Sequence, residues 1–287
     1  MTAAPAPPRR KPPAPPPPVN GHKTTPTGTV RLGKATKTAE GVRIVLNAVE
    51  GFGKTSAIAY APNPVLIQTK GETGYQTLYA HDRVPQIDTA IVPTWADLLA
   101  VVDQAVGAGY GVLGIDALGG AESLCHEFVC DRDYKGNMGK GGFTSFQEGP
   151  GVAVTDWLKL LAVLDLVRES GTHIVLLSHA KIAPFRNPMG ADYDKYVADC
   201  HAKTWSVTHK WADAVLFGRF TTVVDVERPN AKKGKGVGGS TREMYAEHRD
   251  AFDTKNRFGM DESFEIPNDP TAIWPTIWSQ IERSKTP

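Results

Sequence analysis

Residues 42–58, VRIVLNAVEGFGKTSAI, join an apolar run to a glycine-rich loop and then to a segment compatible with a helix. The run from Val42 to Leu46 has the length and β-branched content of a strand buried in a parallel sheet. The following loop carries Gly51, Gly53 and Lys54 in an order that suits phosphate binding, because glycines let successive backbone N–H groups curl around an anion. The stretch therefore predicts a phosphate-binding turn between a strand and a helix.

The side chains of this loop have separate expected roles. The Lys54 ammonium is expected to reach the β- and γ-phosphates, and the Thr55 hydroxyl is expected to ligate Mg²⁺. The predicted nucleotide contacts from the loop are Glu50, Gly51, Phe52, Gly53, Lys54, Thr55 and Ser56. The pattern departs from the P-loop consensus at Ala48, where glycine is usual, and the loop can close there if φ is negative. A chance Gly-Lys-Thr in a strand–helix turn is the alternative, and the preceding buried strand argues against it.

Composition limits the classes of protein to consider. A chain of 287 residues with 41% hydrophobic content can bury one large α/β core. A formal net charge of +1 gives no global polyanion-binding signature, so any nucleic-acid contact must come from local patches. The three cysteines lack the spacing of a structural zinc site and are too few for a disulfide framework, so we expect incidental or buried thiols. The same cysteine usage indicates a reducing cytosol, so we expect a cytoplasmic location. Because no run of eighteen apolar residues occurs, we expect no membrane partner.

The composition also divides the chain. Residues 1–38 are rich in proline and basic residues and predict a disordered arm. Residues 39–268 are predicted to form one nucleotide-binding domain, and residues 269–287 a peripheral C-terminal tail. From Gly41 onward, short apolar runs alternate with amphipathic segments, which indicates βα units and a mostly parallel sheet flanked by helices.

The predicted elements follow this alternation. Strands are expected near 42–47, 64–68, 89–92, 111–115, 172–178 and 214–220, and helices over 54–60, 95–106, 118–130, 152–169 and part of 197–211. Residues 223–227 and 243–247 are predicted to form a C-terminal β-hairpin around a loop at 228–242. The overall prediction is an α/β fold.

Polar residues follow two of the predicted strands at the edge where parallel sheets bind ligands. Asp116 ends the strand that begins at Gly111, which suits a carboxylate beside the Mg²⁺ water shell. A helix N-cap is the alternative role for Asp116. His179 ends the strand that begins at Thr172 and is expected to face the nucleotide, although a strand-end histidine can also be simply hydrogen-bonded.

With Glu72 after the second predicted strand and Lys255-Asn-Arg-Phe-Gly259 near the C-terminus, the chain resembles phage-encoded RecA-like P-loop ATPases, AAA-family ATP-binding proteins of the single-strand annealing and recombination type. The resemblance implies that Glu72 is the catalytic base that orients water and that His179 senses the γ-phosphate. It also implies that Lys255 and Arg257 reach across a subunit interface to the neighbour's γ-phosphate. A solvated glutamate and a surface basic turn are the respective alternatives.

Basic residues interleaved with aromatic ones suggest contacts with single-stranded DNA. The loop 180–204, whose position resembles the mobile DNA-binding loop of RecA, and the loop 228–242 supply the candidates. These are Lys181, Arg186, Lys195, Lys203, Lys232, Lys233 and Lys235. A third loop at 131–149 contains Lys135, Lys140 and Phe143. Each loop could instead be only solvated.

Together with this resemblance, the sequence predicts a DNA-stimulated ATPase that uses ATP and Mg²⁺ and binds single-stranded DNA. The resemblance implies hydrolysis of ATP at the interfaces of a hexameric or heptameric ring or of a filament. Its expected role is recombination or annealing, in the host cytoplasm if it is phage-encoded. A single-strand-binding protein or other replication and recombination proteins are further candidate partners. The alternatives are a DnaB-like helicase motor or helicase loader, a small-molecule P-loop kinase, and a DNA-binding protein without enzymatic activity.

Overall fold

The computed structural model describes residue 34, residues 40–225 and residues 235–283, without the side chains of 222–225 and 235–238. The predicted disordered arm, apart from residue 34, therefore lies outside the described residues. Among the DNA-binding candidates, Lys232, Lys233 and the side chain of Lys235 also lie outside them. The chain divides into two units, residues 1–38 and residues 39–287, and the fold described below is that of the second unit.

Ten strands and seven helices make up the described part of this unit. The strands are β1 Arg43–Ala48, β2 Pro64–Thr69, β3 Asp88–Val92, β4 Val112–Asp116, β5 His173–Phe185, β6 Tyr193–Ala198, β7 Ala214–Asp225, β8 Lys235–Tyr245, β9 Lys255–Asn256 and β10 Ser263–Ile266. The helices are α1 Lys54–Ala59, α2 Gly74–Ala80, α3 Trp95–Gln104, α4 Leu118–Tyr134, α5 Glu148–Glu169, α6 Ala202–Trp211 and α7 Ile273–Arg283.

The strands form a sheet in the order β10-β8-β7-β1-β5-β4-β2-β3. The neighbours from β7 to β3 pair in parallel, whereas β8 pairs antiparallel with β7 and with β10. The predicted α/β class with a mostly parallel sheet is confirmed. This order puts the phosphate-loop strand β1 in the interior, with β5 and β4 on one side and β7 and β8 on the other.

The apolar runs read from the sequence are buried on both sides of the sheet. Along β1, Val45 packs into one core, while its neighbours Ile44 and Leu46 pack into the other. Both faces need apolar residues, which is why the strand is a continuous hydrophobic run. One core contains Trp157 of α5, and the other contains Ile58 of α1. The phosphate loop is therefore held between two packed layers.

The predicted C-terminal hairpin is present with different strands. Residues 214–225 form the single strand β7, not two strands near 214–220 and 223–227. Its partner β8 covers 235–245, so most of the segment predicted as a loop at 228–242 belongs to a strand. Glycine-rich sequence suggested a loop, but pairing along β7 imposes an extended backbone, which glycine also accepts.

Two further segments differ from the sequence predictions. Residues 180–204 were predicted to be a mobile loop, but β5 continues to Phe185 and pairs antiparallel with β6, forming a second β-hairpin. The tail after residue 269 was predicted to be peripheral, but α7 buries Ile273, Trp274 and Ile277 in the core that contains α1. Apolar residues spaced by about four positions in this segment carried that signal.

Two further features concern the cysteines and the length of the helices. Cys125 and Cys130 are buried free thiols, as expected, and burial raises the pKa of Cys125 to about 12. Cys200 is half-buried. Within the part of the chain that the structure describes, no helix is both long and apolar enough to span a bilayer.

Candidate nucleotide-binding and hydrolysis site

The phosphate loop joins β1 to α1 with the backbone conformation that its glycines allow. Gly51 has φ of 70° and Gly53 has φ of 102°, in the left-handed region that side chains other than glycine rarely enter. Ala48 has no positive φ and is the last residue of β1. Alanine is therefore accommodated at the position where the P-loop consensus has glycine, as the sequence argument required.

Lys54 is held against the loop that it follows. Its Nζ donates to the carbonyl oxygens of Ala48 at 2.9 Å and of Val49 at 3.1 Å. The side chain is buried, and that burial lowers the pKa of Lys54, an effect opposed by Asp116, Glu50 and Glu72. Because the ammonium group already lies inside the loop, it can bind phosphate oxygens with little change in the conformation of the Lys54 side chain.

Phe52 contributes to the site through its backbone. Its ring is 1% exposed, and a Cβ atom placed on Gly218 would lie 2.5 Å from it, so glycine at that position leaves room for the ring. The ring also meets Phe220 edge-on, with centroids 6.3 Å apart. The Phe52 side chain is thus a core anchor that fixes the loop, and the backbone N–H is the group of Phe52 that we expect to contact phosphate.

The predicted metal ligands lie next to each other. The Thr55 hydroxyl donates to Asp116 Oδ2 at 2.8 Å. Asp116 is 4% exposed at the carboxyl end of β4, and burial raises its pKa, while the hydrogen bond from Thr55 and the charge of Lys54 oppose the rise. A bound cation would favour the ionised form of this carboxyl group.

Glu72 and His179 complete this side of the site. His179 Nε2 lies 3.7 Å from Glu72 Oε1, and ligand atoms of Glu72, Asp116 and His179 all lie within 4.8 Å of one another. Burial and then the Asp116 carboxylate raise the pKa of Glu72, and His179 opposes the rise. A carboxylate with a raised pKa is better matched to proton transfer near neutral pH.

All of these groups line one cleft with a volume of about 390 Å³. Its floor and its catalytic edge were predicted from four separate segments, the phosphate loop and those of Glu72, Asp116 and His179, and the parallel sheet brings them together. Arg83, Arg242, Asn268 and Ile273 also line the cleft and were not predicted. Arg242 lies on β8 and Ile273 at the start of α7, two elements that were predicted as loop and tail, so local sequence gave no reason to place them here.

Lys255 and Arg257 lie at the opposite edge of the sheet. Lys255 Nζ donates to three carbonyl oxygens at the end of α6, those of His209, Lys210 and Ala212, at 3.0, 2.9 and 2.6 Å. An ammonium has three donors, so these contacts use all of them. Arg257 is about half exposed and pairs with Asp213, which also binds Arg43 at the start of β1.

The basic residues predicted to bind DNA have differing surroundings. Lys181 pairs with Asp199 at 2.9 Å, and Lys195 is mostly buried, pairs with Asp253 at 2.8 Å and lies over the Phe185 ring. Arg186 is exposed near the end of the β5–β6 hairpin. Lys203 is exposed and donates to the carbonyl of Gln147 at 3.3 Å. The two lysines with ion pairs contribute less free charge than the sequence suggested.

The 131–149 segment presents a different aromatic residue from the one predicted. Phe143 is 2% exposed and packs on Tyr134 and His126, so its ring is not available for stacking on a base. Phe146, three residues later, is 96% exposed and has φ of 51°. The sequence analysis missed Phe146, because burial of one phenylalanine and exposure of the other depend on the fold of the loop.

The chain is similar in sequence and in structure to known proteins. A family profile described as "AAA domain" matches residues 40–258, well over half of the chain. The chain belongs to the AAA domain family. This AAA domain protein is therefore a P-loop ATPase, and the predicted enzyme class is confirmed. The alternative of a DNA-binding protein without enzymatic activity is set aside.

Other comparisons add little detail. No curated protein matches the AAA domain protein in sequence. A solved structure of the P4 protein from bacteriophage phi6 in complex with ADP is 12% identical, with a TM-score of 0.32. The match covers 66% of this chain and 58% of the P4 chain, so this chain spans less than two thirds of that protein. The family match therefore carries the assignment.

Proposed function

We propose that this AAA domain protein hydrolyses Mg-ATP at the interfaces between its own copies while it is bound to single-stranded DNA, and that it serves annealing or recombination. A phage origin fits the same proposal. The supporting observation is the course of β5, which carries His179 in the nucleotide cleft and then continues outside the sheet as one arm of the exposed hairpin. One strand thus joins the hydrolytic site to the surface proposed to bind DNA.

The residues of the cleft fit Mg²⁺ and ATP. Thr55 and Asp116 offer the hard oxygen donors that Mg²⁺ prefers. The Asp116 carboxyl group is buried, and a bound cation would balance its negative charge. When bound, Mg²⁺ neutralises charge on the phosphates. Lys54 and the loop N–H groups hold the phosphates, and Glu72 accepts hydrogen bonds that orient the attacking water.

Arg257 is proposed to act on the site of a neighbouring copy. Its partner Asp213 binds Arg43, the first residue of β1, whereas the phosphate loop follows Ala48, the last residue. The strand between them spans roughly 17 Å, which places Arg257 beyond reach of its own phosphate loop. An exposed guanidinium can neutralise transition-state charge in a partner copy. Lys255, whose ammonium binds carbonyl groups of α6, is then proposed to position the Arg257 segment.

The DNA surface is proposed to consist of the β5–β6 hairpin, Lys203 at the start of α6, and Phe146. Arg186 and Lys203 supply charge for the phosphodiester backbone, and the exposed Phe146 ring supplies a stacking platform for a base. Lys181 and Lys195 are proposed to contact DNA only by exchanging their carboxylate partners.

Phosphate release with and without single-stranded DNA, over a range of protein concentrations, tests the proposal. The wild type should be stimulated by DNA, and its rate per subunit should rise with concentration. Lys54→Ala should be inactive, and Arg257→Ala should lose about 10³-fold in turnover while still binding nucleotide. Arg249→Ala, which removes another exposed, ion-paired arginine, is the matched control and should behave as the wild type.

Two results would contradict the proposal. A rate that is independent of concentration, of DNA and of Arg257 would indicate a monomeric nucleotide enzyme such as a kinase. Unwinding of duplex DNA with a fixed polarity would indicate a helicase motor instead of an annealing protein.

A further inference from the structure

Arg242 has a position in the nucleotide cleft that neither the phosphate loop nor the catalytic carboxylates account for. It lies on β8, in the antiparallel part of the sheet, and lines the same cleft as Lys54 and Asp116. A Cβ atom placed on Gly53 would lie 3.1 Å from Arg242 Nη1, so the guanidinium lies directly over the last glycine of the phosphate loop. Gly53 is the N-cap of α1, which begins at Lys54.

The guanidinium is held in this place by aromatic packing. Arg242 lies over the ring of Phe220 on the neighbouring strand β7, at 6.0 Å from the centroid. Phe220 in turn meets Phe52 of the phosphate loop edge-on. The Nε atom of Arg242 is buried and has no hydrogen-bond partner among the described residues. The terminal nitrogen Nη1 beside Gly53, and not the buried Nε, is therefore the group that a ligand in the cleft would contact.

The strand order separates Arg242 from the hydrolytic groups. Asp116 and His179 lie on β4 and β5, to one side of the phosphate-loop strand β1. Arg242 lies on β8, two strands to the other side of β1. The side with Glu72 is where the γ-phosphate and the attacking water are expected. A cation on the opposite flank of the loop faces the part of the nucleotide that is not cleaved.

We propose that Arg242 binds the α- and β-phosphates of a nucleoside diphosphate or triphosphate in its own subunit. A guanidinium can donate two parallel hydrogen bonds to phosphate oxygens, in a geometry that lysine cannot reproduce. This role differs from that of Arg257, which is proposed to act on the γ-phosphate of a neighbour. It rests on the assignment of the cleft as a nucleotide site, and makes Arg242 a determinant of nucleotide affinity.

Calorimetric titration of ADP, of a non-hydrolysable ATP analogue and of inorganic pyrophosphate tests this assignment on the full chain. In Arg242→Ala, all three dissociation constants should rise about 10- to 50-fold, as expected for loss of charged hydrogen bonds. Arg242→Lys should recover only part of the affinity for all three ligands. The matched control is Arg219→Ala, which removes a cation–π arginine from the neighbouring strand of the same hairpin, outside the residues that line the cleft.

Each of the other possible results of these titrations would contradict one part of the role proposed for Arg242. A loss of ADP affinity with unchanged pyrophosphate affinity would place Arg242 at the base or ribose. A loss confined to the ATP analogue would place it at the γ-phosphate, and unchanged affinities would exclude it as a ligand. If Arg242→Ala fails to fold, Arg242→Lys with wild-type affinity for all three ligands would overturn the bidentate contact. A wild-type protein that binds none of the ligands would overturn the nucleotide site itself.

Discussion

Glu72 is the residue on which hydrolysis, as distinct from nucleotide binding, is expected to depend. Glu72→Gln keeps the shape of the side chain but removes the carboxylate that accepts hydrogen bonds from water. Turnover should fall by about 10²- to 10⁴-fold, while ADP affinity should be largely retained. Steady-state phosphate release and calorimetry measure the two effects separately.

The control for this change is Glu127→Gln, because Glu127 is an exposed carboxylate on α4 outside the residues that line the cleft. It should hydrolyse ATP at nearly the wild-type rate. Substantial turnover in Glu72→Gln, or equal losses in the two variants, would remove Glu72 from its proposed role.

The site residues that lie in or next to the phosphate loop, or at the ends of parallel strands, could be predicted from the sequence. Lys54, Thr55 and Asp116 follow from local motifs, and the sheet brings them to one edge. Arg242 could not be predicted, because its place in the cleft depends on pairing between β7 and β8. Lys255 was predicted as catalytic from a short motif, and nothing local showed that three carbonyl groups of α6 would bind its ammonium.

At the scale of elements, α7 contributes to stability more than its C-terminal position suggested. Ile277 is 2% exposed in the core that also contains α1. Ile277→Ala should lower the free energy of unfolding by about 2–5 kcal/mol, because it leaves a cavity in a packed core. Urea unfolding measures the change, and Ser279→Ala on the exposed face of α7 is the control, with an expected change within about 0.5 kcal/mol. Equal stability of Ile277→Ala and the wild type would show that α7 does not pack as described.

Two ion pairs join three elements of the sheet. Asp213, just before β7, pairs with Arg43 at the start of β1 and with Arg257 after β9. Burial would raise the pKa of Asp213, but hydrogen bonds and charge from Arg43, with a further hydrogen bond from Arg257, lower it overall. A lowered folded-state pKa gives stabilisation that is complete above the unfolded value of about 3.9 and is lost as pH falls through the folded value.

Asp213→Asn should therefore destabilise the protein by about 1.5–3 kcal/mol at pH 7. Its stability should also fall less steeply than that of the wild type below about pH 4, where the wild type loses this interaction. Urea unfolding at several pH values from 7 to 3 measures both effects, with Asp250→Asn at an exposed position as the control. Parallel pH profiles for Asp213→Asn and the wild type would contradict the assignment.

Elements with a clear pattern of apolar residues were predicted well. Elements that depend on antiparallel pairing with another strand were not. The strands from β1 to β5 begin close to their predicted positions because both faces of the parallel sheet need apolar runs. The extension of β5 to Phe185 is not buried and contains Lys181 and Pro184, and the antiparallel β8 is glycine-rich. Their extended backbone comes from hydrogen bonds to a partner strand and not from local sequence preference.

At the scale of the whole molecule, nucleotide binding should be visible as stabilisation of the domain. ADP at about 100 times its dissociation constant adds about 2.7 kcal/mol to the free energy of unfolding. For a domain of this size, that corresponds to an increase in Tm of roughly 5–10 °C. Thermal unfolding with and without ADP measures it, and Lys54→Ala should lose most of the shift. A full shift in Lys54→Ala would place the nucleotide elsewhere.

The fold class and the enzyme class could be predicted for the whole chain because one motif in the right strand context specifies both. The DNA surface could not be predicted residue by residue. Phe143 and Phe146 are separated by only three positions, and one is buried while the other is almost fully exposed. Which ring faces solvent depends on the turn after α4, which local sequence does not define.

The uninterrupted course of β5 has a mechanical consequence. From His179 to Phe185 the strand runs for roughly 20 Å, and its pairing with β6 stiffens it. A rotation of about 5° at the histidine would carry the far end of this arm through about 1.7 Å at that length. If His179 contacts the terminal phosphate as proposed, a small change there should displace the far end of the hairpin by a larger distance, because β5 is continuous between the two points.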